Sequence, residues 1–124
     1  MLLAFSVAPS GQPPRPGGDS GAVSATAPTA ESAAASADAS VHDAVAAAVK
    51  IVRDSGLPNH TDSMFTTIEG EWDEVFAVVK AATEAVGRFG SRVSLVIKAD
   101  IRPGYSGELT GKVERLENAI ADAG

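Results

Sequence analysis

The chain has 124 residues, seven Pro, twelve Gly, no Cys and a formal net charge of −6. Without cysteine there is no disulfide framework, thiolate metal site or cysteine nucleophile, a composition that fits a reducing compartment. The ten basic residues are scattered and no apolar run approaches the roughly 20 residues of a bilayer span, so neither nucleic acid nor a membrane is expected as a partner.

Leu2 to Ala8 reads as a strand, a short apolar run with Ser6 as its one polar side chain. It is short and lacks the basic n-region of a signal peptide, so the expected location is cytoplasmic. Residues 9–40 follow, with 5 Pro, 4 Gly, 9 Ala and 6 Ser and nothing larger than Val23 to anchor a core. This composition predicts a flexible low-complexity insertion within a single domain spanning 1–124, although Ala30 to Ala39 can also extend the next helix. A loop of this kind next to Ser6 is either a lid or a passive tether, and its lack of aromatic or charged clusters favours the tether.

Ser40, with Asp43 three residues on, predicts a helix start, and Val41, Val45, Ala48, Val49 and Val52 its apolar stripe. Gly56 and Pro58 end it. Leu57 to Thr61 and Met64 to Glu69 predict an antiparallel pair turning at Asp62 and Ser63. Trp72, Val75, Phe76, Val79, Ala82, Thr83 and Val86 mark a second helix, with acids in its first turn. Arg92 to Ile101 alternates as a long strand, and a last helix starts near Thr110 with Val113, Leu116 and Ile120 as its stripe. The order is the split βαβ pattern of an α+β, ferredoxin-like βαββαβ sandwich: a four-stranded antiparallel sheet in order 4-1-3-2, plus an extra C-terminal helix. Two helices cover one face. The other, offering Ala4, Phe65 and Val96, is too apolar for water, which predicts a homo-oligomer that stacks sheets or extends them at an edge.

Several catalytic-looking strings lack context. Gly18-Asp19-Ser20-Gly21 sits in low-complexity sequence, and His42 and His60 have no paired metal-ligand spacing, so no metal site is expected. The informative run is Thr66-Thr67-Ile68-Glu69-Gly70-Glu71-Trp72. Strand propensity, a strand-to-helix turn and helix-dipole chemistry account for these residues on their own. Adjacent Thr66 and Thr67 nevertheless point to opposite faces of a central strand. With Thr67 outward, Phe65 and Glu69 follow it, and Ser6, Ser94 and Lys98 from neighbouring strands join them. That places a few converging polar groups over an apolar floor, the makeup of a small-molecule pocket on the sheet face.

This run, together with Phe5-Ser6-Val7-Ala8-Pro9, Val52-Arg53-Asp54-Ser55-Gly56-Leu57, Val96 to Arg102 and Gly111-Lys112-Val113-Glu114, resembles the thiamine-binding protein family. The resemblance implies a small ferredoxin-like protein that forms dimers or tetramers and binds thiamine or its hydroxymethylpyrimidine part, with no other cofactor and no catalysis. It departs from the family pattern at residues 9–40, at Asp62 to Phe65 before the double Thr, and at Ile101 in place of an Asp. The expected ligand-binding residues are Ser6, Thr67 and Glu69, then Thr66, Ser94, Lys98 and Phe65. For Lys98 this supposes that it pairs with Glu69 or Asp100, since a free ammonium repels a thiazolium. Two rivals are a ligand-free self-assembling module and a small enzyme using Glu69 as general base.

Overall fold

The computed structural model describes residues 1–13 and 30–124, with side chains described from residue 41 onward in the first helix. The insertion expected at 9–40 therefore lies outside the described residues between 14 and 29. Strand β1 (Leu2–Ser10) is central, and its alternation divides the molecule. Leu3, Phe5 and Val7 are buried, while Leu2, Ala4, Ser6 and Ala8 face the other way and are half-buried.

Helix α1 (Ala30–Asp54), strands β2 (Asn59–Thr61) and β3 (Thr66–Glu69), helix α2 (Trp72–Val86), strand β4 (Arg92–Asp100) and helix α3 (Glu108–Ala123) complete the fold. The antiparallel sheet runs β2-β3-β1-β4, which is the expected 4-1-3-2 read from its other end. Ala4 stands opposite both Thr67 and Lys98, Ser6 opposite Val96, and Leu2 opposite both Glu69 and Asp100. These pairs share the face away from α1 and α2. On the covered face, Leu3, Phe5, Val7 and Ile68 pack with Ala44, Ala48 and Val52 of α1 and Val75, Val79, Ala82 and Val86 of α2.

Three helix details refine the expectation. α1 begins at Ala30, the extension that Ala30 to Ala39 allowed, so Ser40 and Asp43 lie inside it instead of at its start; the strong helix propensity of Ala decides the stretch. Its core contacts come from Ala44, Ala48 and Val52, whereas Val41 and Val45 remain exposed, because small side chains let the helix approach the sheet closely. In α2, Trp72 and Phe76 stack on each other at 5.2 Å on the solvent side instead of joining the core. The start of α2 is secured by a reciprocal capping box between Glu71 and Glu74. No helix among the described residues is long and apolar enough to cross a membrane.

After α2 the chain returns to β4 past Gly90, where a Cβ would lie 2.5 Å from the Ser10 carbonyl oxygen. Glycine is required there by the approach of two backbones. Gly90→Ala should lower stability by about 1–3 kcal/mol, the usual range for overpacking, seen as a lower urea midpoint with an unchanged slope.

Candidate ligand-binding site

The β2–β3 turn is built around one carboxylate. Asp62 Oδ1 accepts the backbone N–H groups of Met64 (2.8 Å) and Phe65 (2.9 Å), and the Asp62 N–H donates to the Phe65 carbonyl (2.9 Å). Those two N–H bonds, the Met64 one first, hold the Asp62 carboxyl below its ordinary range, so it is an anionic acceptor at neutral pH with Oδ2 left over. The turn also removes Phe65 from the strand. The alternation that would have sent it outward with Thr67 starts only at Thr66.

Phe65 instead lines a cavity of about 230 Å³ between the second half of β1, α1 and this turn. Its apolar wall includes Phe5, Val7, Val45 and Val49, and Thr61, Asp62, Ser63 and Thr66 supply polar groups. Thr66 is almost fully buried, with its hydroxyl 3.1 Å from that of Thr61. In such a pair one hydroxyl donates to the other and leaves a proton free for a third group. The volume falls below the roughly 300–1,000 Å³ of sites for drug-sized ligands, and so suits a single substituted ring.

The structure thus divides the expected residues. Phe65 and Thr66 line the cavity, joined by Ser6, which borders it along the edge of β1 that β3 leaves unpaired beyond Phe5. Thr67, Ser94, Lys98 and Glu69 share the open sheet face with Ser6. Glu69 is not free there, because its carboxylate accepts the N–H groups of Glu108 (2.7 Å) and Leu109 (3.4 Å). It acts as the N-cap of α3 in place of Gly107, which has no side chain and a φ of 70°. Lys98 pairs with neither Glu69 nor Asp100, contrary to expectation. Asp100 is taken by Lys112 at 2.7 Å, whose hydrogen bond and charge hold the Asp100 carboxyl low, and Lys98 makes no ion pair among the described residues.

Thr61, Asp62, Ser63, Val45 and Val49 were not among the expected binding residues. The available signal was Asp62 itself, since an Asp two and three residues ahead of backbone donors closes its own turn and shifts the strand start beyond Phe65.

The architecture is that of small α+β domains in which two helices cover one face of a four-stranded antiparallel sheet. The chain belongs to the thiamine-binding protein family, whose model matches residues 31–117. A UPF0045 protein of Mycobacterium bovis is 55% identical over 81 residues, covering 64% of this chain and 79% of that protein. A protein of Methanocaldococcus jannascii has the same fold at a TM-score of 0.65 and 20% identity over 94% of each chain. A domain of unknown function, DUF77, from Bacillus cereus superposes with a TM-score of 0.58 at 25% identity, over 87% of this chain and 83% of its own.

The depressed Asp62 carboxyl has a defined pH signature. Its contribution to turn stability is fully present above the unfolded-state pKa and is lost as pH falls through the lower folded-state value. The amide resonances of Met64 and Phe65 should therefore titrate with a midpoint below the ordinary Asp value, and Asp62→Asn should abolish that transition.

Proposed function

We propose that this protein is a non-enzymatic, cytoplasmic binder of thiamine or its hydroxymethylpyrimidine part, and that it works as a homo-oligomer. The observation that carries this reading is the cavity beside the β2–β3 turn in a chain of the thiamine-binding protein family. An aminopyrimidine presents donors and acceptors in one plane. The free Oδ2 of Asp62 would accept the exocyclic amino group, a hydroxyl of the Thr61–Thr66 pair would donate to a ring nitrogen, and Phe65 would stack on the ring. Val45 and Val49 would form the apolar floor. With room for one ring, the cavity would take the pyrimidine and leave the thiazolium outside, where the chain's net negative charge favours a cation.

Self-association is supported by the open sheet face, where Val96 is 54% exposed, and by the edge position of β4. The engagement of Glu69 with α3 supports binding over catalysis, because its carboxylate already serves two backbone donors.

Isothermal titration with thiamine and with hydroxymethylpyrimidine tests the reading. Both should bind, and Asp62→Asn should weaken binding by about 10- to 100-fold, the loss of a hydrogen bond to a charged group. Phe65→Ala should weaken both ligands in parallel, while Thr67→Val on the sheet face should leave them unchanged. Absence of heat for either compound at millimolar concentration would refute the proposal.

A further inference from the structure

Among the described residues, α3 is attached to its own chain only through its first turns. Glu69 caps Glu108 and Leu109, and Lys112 pairs with Asp100. From residue 112 to the end every residue is exposed, including Val113 at 55%, Leu116 at 57% and Ile120 at 57%. These three and Leu109 follow one another at spacings of four, three and four, which makes a continuous apolar stripe. A helix of 16 residues is marginal in water by itself, and a stripe of this kind is stabilised by packing. Within the described chain nothing packs on it.

The same chain carries a complementary surface. On the open sheet face the central strand presents Ala4, Ser6 and Ala8, a shallow trough of small side chains bordered on one side by Val96 and Lys98 and on the other by Thr67. Lys98 has no anionic partner among the described residues, and Glu117 has no cationic one. Glu117 follows Leu116 directly and lies four residues after Val113, so it flanks the stripe.

We propose that α3 is a docking arm that lays Val113, Leu116 and Ile120 into the sheet-face trough of a second copy of this chain, with Glu117 of one copy against Lys98 of the other. This rests on the self-association proposed above and names its surface. Exchange of the two arms about a two-fold axis closes the assembly, covering both sheet faces and both stripes at once. Glu69 is then a positioning residue, since its cap fixes the first turn from which the exposed arm projects. The ligand cavity adjoins this interface at Ser6 and Ala8, which border both, while Phe65, Thr61, Asp62, Val45 and Val49 lie outside the trough.

Light scattering coupled to size exclusion, over a concentration series, tests the arrangement. The wild-type chain should be a dimer or a multiple of one. Leu116→Asp, at a position exposed in the single chain, should yield a folded monomer with an unchanged thermal midpoint for the domain at matched low concentration. Lys98→Glu and Glu117→Lys should each weaken assembly by about tenfold, and the double variant should recover most of that loss, because reversal of both charges restores the pair. A monomeric wild-type chain overturns self-association itself. An oligomer that survives Leu116→Asp overturns only the docking arm. Assembly that is lost with Leu116→Asp but indifferent to both charge reversals overturns sheet docking in favour of α3 pairing with α3.

Discussion

Everything in this molecule hangs on the two-sided pairing of β1. A strand hydrogen-bonded to β4 along its whole length, and to β3 as well from Leu2 to Phe5, cannot rotate, so its alternation commits each side chain to one of two environments. Leu3, Phe5 and Val7 go to the helices and form the centre of the core. Ala4, Ser6 and Ala8 go to the opposite face, and their small size leaves a surface that can be covered only by something brought to it. The second half of the same strand borders the cavity, so one element separates a ligand-sized hollow from an assembly-sized face.

Glu69 connects the layers. It ends β3 on the open face and holds the first turn of α3, which has a glycine where a capping side chain usually stands. A charged acceptor on two backbone donors is among the stronger polar contacts a domain of this size can make. It fixes the direction in which the final helix leaves the sheet. The bidentate pair of Arg115 with Glu108 stiffens the same turn, with the hydrogen bond to Arg115 holding the Glu108 carboxyl low. The residues most suggestive of ligand chemistry in the sequence thus serve two ends, and Glu69 serves architecture.

The fold was legible because its periodicities are unambiguous where they matter: the alternating β4, the apolar β1 and the Gly-punctuated helix ends each admit one assignment. Strand order followed from the split βαβ pattern. The start of α1 was harder to read, since an Ala/Ser-rich run satisfies both a loop composition and a helix propensity. The cavity was not legible. Its position depends on Asp62 closing a turn that takes Phe65 out of the strand, and on α1 turning Ala44 and Ala48 inward while Val45 and Val49 line the hollow. From Ala44 to Val52, where seven of nine positions are Ala or Val, α1 carries too little contrast for period alone to decide which of them faces the sheet.

The place where a pyrimidine sits separates a site in the cavity from one on the sheet face. Backbone amide shifts of labelled protein, followed during titration with hydroxymethylpyrimidine, report that place directly. The cavity site predicts saturable changes concentrated at Asp62 to Thr66 and at Val45 to Val49. Changes confined to Thr67, Ser94 and Lys98, or none at saturating ligand, would contradict it.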